Sequence, residues 1–447
     1  MKWRRTLIGL WFLAAVPQAL AGGTVSVKLE VVKRDASYDV GEMASFRGSV
    51  LVDGKLKTRG VAVARLSDDG MATVSVQEFD LAKDNPFTVE GTLDEPGFLQ
   101  CVVSYGRGSA IAAAAFAPAH IRPATTCPDD FATFWADALR EIDQVPLDAR
   151  VDPVPLFSSE HFACYKVSFA TLGGSRIYGF LSVPRQGDGP FPAVVTVPGV
   201  GPGVFSPDIG CVNVPGRGMA ARLRRDGGER AVSLVMNVHQ YDPPRSWSAL
   251  NERYNKLNAS LPYYRQGVPD RDEYYYKKAL LGVNRAVDWL ASRPDVDPER
   301  IAAYGSRQGG AFALILAALN KHIKAVSASS PGLCDHAGHL LGRSPGWPRL
   351  VVGEGTATMR MAAYYDVVNF APGIKCPVIA SVGFVDTDCS PSSVYAAFNS
   401  VPTPKKMFNE TKTANEMSFR FADYQRRWLR SQLGMDKDPL PPLASSR

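Results

Sequence analysis

The segment Arg300-Ile301-Ala302-Ala303-Tyr304-Gly305-Ser306-Arg307-Gln308-Gly309-Gly310 holds the residues whose spacing points most directly to chemistry. A short apolar run enters a glycine-rich corner, and an apolar helical run follows it. Such a corner is tight, and its central side chain projects over the end of the sheet. The first backbone N–H groups of the helix have no acceptor within the helix, so they are free to stabilise an oxyanion beside that side chain. A serine at the centre would act as a nucleophile. The centre here is Arg307, which stays protonated and is not a nucleophile. Ser306 is the alternative nucleophile, but it lies one residue early and should leave the corner in another direction. Taken alone, a G-x-x-x-G spacing fits a plain strand-to-helix turn equally well.

The surrounding pattern supplies the elements that must hold such a corner. Apolar residues at helical spacing predict a helix over 131–142, with Asp129 and Asp130 suited to its first turn. Strands are predicted over 165–169, 177–183, 193–197, 232–238, 300–304, 323–327 and 378–382. Helices are predicted over 274–292, 310–319 and 419–433. This alternation predicts a mostly parallel sheet with helices on both faces, an α/β fold spanning 127–434, with a tail over 435–447.

The chain before it reads differently. Val25 to Val31 alternate with period two, as does the looser run from Ser45 to Val52, and Asp53-Gly54 then marks a hairpin. Further runs at 73–76, 87–93 and 98–104 complete a small all-β, immunoglobulin-like sandwich over 24–120. No polar cluster in it makes a site, so a packing or spacer role is favoured over carbohydrate binding.

At the extreme N-terminus, Lys2, Arg4 and Arg5 precede ten apolar residues, and Ala19-Leu20-Ala21 has the form of a cleavage site. Residues 1–21 are expected to be a signal peptide, which directs the protein to the periplasm or outside the cell. Ten apolar residues are too few to span a bilayer, which takes ~20. No later segment is long and apolar enough, so no membrane span is expected. Of the 447 residues 45% are apolar and 21% charged, which excludes a disordered or collagen-like chain. The net charge of +6 falls to +3 without the leader, and its basic residues form no stripe, which argues against nucleic acid as a partner. The seven cysteines show no C-x-x-C spacing. His336 and His339, with Asp335, give only a weak metal-like spacing. Neither a metal nor a cofactor is expected.

Residues 127 to about 434 resemble the acetyl xylan esterase / cephalosporin C deacetylase family of carbohydrate esterases. Cys127-Pro128-Asp129-Asp130-Phe131 with Phe134-Trp135, Tyr364 to Ala371, Ile374 to Val378, Val382 to Thr387, and the run through Cys389 and Pro391 to Asn399 carry the resemblance. It implies an α/β-hydrolase fold and deacetylation of sugars by a Ser-His-Asp triad. Carried over by position, the nucleophile falls on Arg307, the acid on Asp386 and the histidine on Asn415. The oxyanion positions fall on Val200 and Gln308, and one further family residue is kept as Gln240. The triad order in this fold is nucleophile, acid, histidine. None of the six histidines (120, 161, 239, 322, 336, 339) follows Asp386, and the amide of Asn415 is no base. The expectation is a degenerate esterase that binds a glycan, an acyl sugar or a partner. The alternatives are an active esterase working through Ser306 with His239, His336 or His339 as base, and an assembly protein on a hydrolase scaffold. Arg307 is expected to pair with Asp386 or to be oriented by it.

Overall fold

The computed structural model describes residues 24–204, 206, 230–436, 440–441 and 443. The expected leader, Cys211 and most of the 435–447 tail lie outside them.

Nine strands lie between residues 25 and 116: β1 (Val25–Val31), β2 (Ser37–Tyr38), β3 (Ala44–Val52), β4 (Lys55–Leu56), β5 (Val61–Asp68), β6 (Ala72–Asp80), β7 (Phe87–Gly91), β8 (Gly97–Tyr105) and β9 (Gly108–Phe116). β1, β3, β4 and β7 pair antiparallel in one sheet, and the other sheet has the order β2-β9-β8-β5-β6. The period of two in the sequence becomes alternating burial along β3, which sends Phe46 and Val50 inward to meet Leu66, Leu99 and Val103 of the facing sheet. Asp53 and Gly54 both take positive φ, 49° and 78°, as a two-residue hairpin turn demands. Residues Gly108 to Phe116 are rich in alanine, a poor strand former, and give no strand signal. They form β9 because its residues pair along the whole of β8.

The second sheet system follows helix α1 (Phe131–Asp143). Its strands are β10 (Arg150–Pro153), β11 (Phe162–Ala170), β12 (Arg176–Pro184), β13 (Phe191–Val197), β14 (Val232–Met236), β15 (Val296–Ser306), β16 (Ile323–Ser329), β17 (Val378–Gly383) and β18 (Lys405–Glu410). They form one sheet in the order β10-β11-β12-β14-β13-β15-β16-β17-β18. Pairing is antiparallel from β10 to β14 and parallel from β14 to β18. The helices that follow α1 are α2 (Trp247–Leu257), α3 (Tyr275–Ala291), α4 (Gln308–Leu319), α5 (Thr356–Ala363), α6 (Val367–Phe370), α7 (Pro391–Asn399) and α8 (Phe419–Gln432). Every residue of β13, β14 and β17 is buried, because helices cover both faces of a parallel sheet. β18 gave no apolar signal: it is the edge strand and carries Lys405, Lys406 and Glu410. Among the described residues, no helix is long and apolar enough to cross a membrane.

Candidate active site

β15 delivers the chain to the corner at Ser306, held between β13 and β16 by the pairs Val197↔Gly305 and Gly305↔Ala328. Arg307 then takes φ 55° and ψ −119°, a sparsely populated backbone conformation for a residue with a Cβ, and α4 starts at Gln308. The corner is closed by contact of backbone on backbone. A Cβ on Gly309 would lie 2.0 Å from the Val197 carbonyl oxygen, so only glycine lets α4 approach the end of β13.

Gln308 ties this corner to the loop after β13. Its Oε1 accepts hydrogen bonds from the hydroxyls of Tyr263 and Tyr276, each at 2.6 Å. Its Nε2 donates at 3.4 Å to the carbonyls of Pro198 and Gly199. The loop bearing Val200 is thereby held against the start of α4, and the Gln308 backbone N–H occupies the first helical position, where the helix offers no acceptor. Val200 itself is exposed. His239, weighed as a base for Ser306, is used elsewhere. Its two ring nitrogens meet the Tyr275 hydroxyl and the Gly201 carbonyl, both at 2.8 Å. Burial pushes its pKa down to about 4. No hydrogen bond joins Ser306 to a histidine among the described residues.

Asp386 lies on the loop after β17. Its Oδ1 accepts from the backbone N–H groups of Asp388 and Cys389, at 2.9 and 3.0 Å. Its Oδ2 is buried and has no hydrogen-bond partner. Burial raises its pKa, an effect opposed by those two N–H groups and by Arg307. Asn415 is half-buried on the loop between β18 and α8. That loop is seated on the acid loop: the Val385 N–H donates to the Thr413 carbonyl at 3.3 Å. A Cβ on Gly383 would fall 1.7 Å from the Ala414 carbonyl oxygen. Gly383→Ala is therefore expected to displace the Asn415 loop and to destabilise the protein by about 3 kcal/mol, read as a lower denaturation midpoint. An unchanged midpoint would show that the two loops part at little cost.

The expected ion pair of Arg307 is corrected by the structure. The guanidinium binds Asp388, two residues beyond Asp386, with Nη2 to Oδ2 at 2.6 Å. Backbone N–H groups already occupy one oxygen of Asp386, whereas Asp388 is free to turn outward. Burial disfavours the charge of Arg307, but Cys389, Asp388 and Asp386 around it outweigh this and raise its pKa. Arg307 is thus anchored by Asp388, while the charge of Asp386 nearby favours its protonated form. Only the adjacency of Asp388 to Asp386 in the sequence could have hinted at this.

The N-terminal sheets also pack against this loop. Phe98 of β8 packs edge-on against Phe384, with ring centroids 5.0 Å apart. Asp69, at the turn between β5 and β6, is buried against Ser390 and Ser392, just past the acid loop. Among the described residues, no hydrogen bond joins His336 or His339 to Ser306, Arg307 or Gln308. Among the described residues, no three His, Cys, Asp or Glu side chains come together as a metal-holding group.

The chain is similar in sequence and fold to known proteins. The acetyl xylan esterase (AXE1) family model matches residues 119–340 and 352–432. The acetyl esterase Axe7A of Xylanibacter ruminicola is 30% identical over 410 residues, 89% of each chain. The acetyl xylan esterase of Paenibacillus sp. R4 superposes with a TM-score of 0.57 at 25% identity, covering 70% of this chain and 98% of its own. Acetyl xylan esterase 1 from Thermoanaerobacterium sp. JW/SL YS485 gives a TM-score of 0.57 at 22% identity, covering 70% and 97%. With a strand-corner-helix at 305–309 set among the parallel strands of an α/β-hydrolase sheet, and with most of its length matched by the family model, the chain belongs to the acetyl xylan esterase family.

Proposed function

We propose that this family member is exported and has lost ester hydrolysis, keeping the site to bind a glycan or an acyl sugar. The observation that carries the reading is the state of the acid. Asp386 presents a buried carboxylate oxygen with no partner, on a loop beside Asn415, where the resemblance puts the histidine. A triad acid uses such an oxygen to orient the imidazole N–H. The elbow likewise keeps its strained backbone while its side chain is a guanidinium held by Asp388. Neither the Arg307 guanidinium nor the Asn415 amide can attack a carbonyl or take up a proton. A polar, partly open site on a carbohydrate-esterase scaffold is suited to sugar hydroxyls, and the Arg307–Asp388 pair offers both donors and acceptors. Export rests on the leader at residues 1–21 alone.

The test is hydrolysis of a chromogenic acetate ester by the purified chain beside its Arg307→Ser, Asn415→His variant, with a glycan-binding screen of the unaltered chain. Turnover by the unaltered chain at ordinary enzyme rates would refute the loss of catalysis and favour a site built on Ser306. Absence of any glycan or acyl-sugar ligand would leave an assembly role in its place.

A further inference from the structure

The loop after β14, helix α2 and the start of α3 enclose a cavity of ≈ 650 Å³ that opens to solvent. Arg307, Gln308, Val200 and Asp386 do not line it, so it is distinct from the elbow. The Val200 loop reaches both places. Gln308 holds its Pro198 and Gly199 carbonyls, and Tyr241 of the cavity wall donates to its Pro202 carbonyl at 2.6 Å. The cavity therefore lies beyond the carboxyl end of the sheet, where ligands of open α/β sheets bind.

The charge of this cavity is unbalanced. Arg253, Lys256 and Lys278 line it, and among the described residues Glu273 is the one acidic side chain that does. None of the three cations has a carboxylate within ion-pair distance among the described residues. Arg253 and Lys256 are exposed and Lys278 is half-buried, so all three are within reach of a ligand. A concave wall with an excess of one sign concentrates the opposite charge in front of it. The rest of the lining asks for more than a bare anion. The Tyr241 ring stacks on His239 with centroids 5.2 Å apart, and the Tyr275 hydroxyl meets the same histidine, so both rings are held in place. Their hydroxyls are already used within the protein, which leaves the rings as flat surfaces. The electron-rich face of such a ring suits the C–H face of a pyranose. The exposed Glu273 carboxylate repels a compact polyanion but accepts from hydroxyls. The ligand that answers all of this carries carboxylates, hydroxyls and an apolar ring face together. Small-molecule pockets run from about 300 to 1,000 Å³, so this one has room for a disaccharide.

We infer that this cavity binds uronic-acid residues of an acidic oligosaccharide, with carboxylates on Arg253, Lys256 and Lys278 and a sugar ring on Tyr241. The inference stands on this cavity alone, whether or not the elbow hydrolyses esters or binds a glycan. The experiment is isothermal titration calorimetry of the full chain near pH 7 and low salt with digalacturonate. Its neutral bisamide and glutarate, a dicarboxylate without a ring, are titrated in parallel. Digalacturonate is expected to bind saturably at millimolar concentration, and the bisamide and glutarate each about tenfold more weakly, the sum of two or three exposed charge contacts or of one ring contact. Salt raised from about 25 to about 200 mM should weaken the acid and spare the amide. The Arg253→Gln, Lys256→Gln variant, altered at exposed positions that do not threaten folding, should bring the acid down to the affinity of the amide. Tyr241→Leu should weaken acid and amide alike and leave glutarate unchanged. No saturable binding of digalacturonate would overturn the inference. So would equal affinity of acid and amide, glutarate binding as tightly as digalacturonate, or a double variant that binds the acid as the unaltered chain does.

Discussion

The unaltered chain is expected to hydrolyse 4-nitrophenyl acetate at least ~10⁴-fold more slowly than an intact serine esterase, and the Arg307→Ser, Asn415→His variant is expected to recover at least ~10²-fold over it. The loss follows because Arg307 cannot attack and Asn415 cannot accept a proton. Recovery follows from what is still in place. The backbone at position 307 has φ 55° and ψ −119°, so a serine there inherits the elbow. The Gln308 N–H is at the first helical position, available to an oxyanion. The partnerless Oδ2 of Asp386 can orient an introduced imidazole. Breaking the Arg307–Asp388 pair should cost less than about 1 kcal/mol, since the Asp388 side chain is 54% exposed. Nucleophile and base act as a unit, so each single variant should stay at background. The measurement is kcat/KM for all four proteins. Equal gains from Arg307→Ser alone and from the double variant would show that position 415 is not where the base belongs.

Asp69→Asn is expected to stabilise the protein by about 2–5 kcal/mol near pH 8 and by little near pH 4. Burial, followed by repulsion from Asp68, pushes the Asp69 pKa up to about 8. In the unfolded chain the carboxyl ionises near 3.8. Between these values the folded protein holds a proton that the unfolded chain has released, so stability falls as pH rises and the loss is complete above the folded pKa. Asparagine has the same shape and no proton to lose. A tenfold difference in proton affinity between the folded and unfolded chain corresponds to about 1.4 kcal/mol, and the field of Asp68, itself raised to about 6, is shared within the pair. Denaturant midpoints of both proteins from pH 4 to pH 8 check this. A gain that does not depend on pH would refute a buried, protonated Asp69. The turn lies on the seam with the hydrolase sheet, where the Ala72 N–H reaches the Gly342 carbonyl at 3.4 Å, so the same experiment reports on the seam.

Local pattern was enough where burial imposes a simple period. β1 and β3 follow from alternation, and β13, β14 and β17 from short apolar runs, because a half-buried strand needs period two and a parallel strand is covered on both faces. The corner at 305–309 was legible because backbone crowding there demands glycine. β9, rich in alanine, and β18, charged at the sheet edge, were not legible, since pairing with neighbours rather than their own composition makes them strands.

By itself the sequence determined that position 307 holds a cation, that no histidine follows Asp386, and that a strand-corner-helix stands in an alternating α/β frame. These are statements about residue identity and short-range order, and identity needs no coordinates. Only the tertiary structure decided which acid meets Arg307, because two backbone N–H groups turn Asp386 inward and leave Asp388 to the guanidinium. Tertiary structure alone also put Gln308 under Tyr263 and Tyr276, brought Asp69 to Ser390 and Ser392, and gathered Arg253, Lys256 and Lys278 around one cavity. Each of these depends on contacts between residues tens to hundreds of positions apart. Their partners are set by how whole elements pack, a property that no local period in the chain encodes.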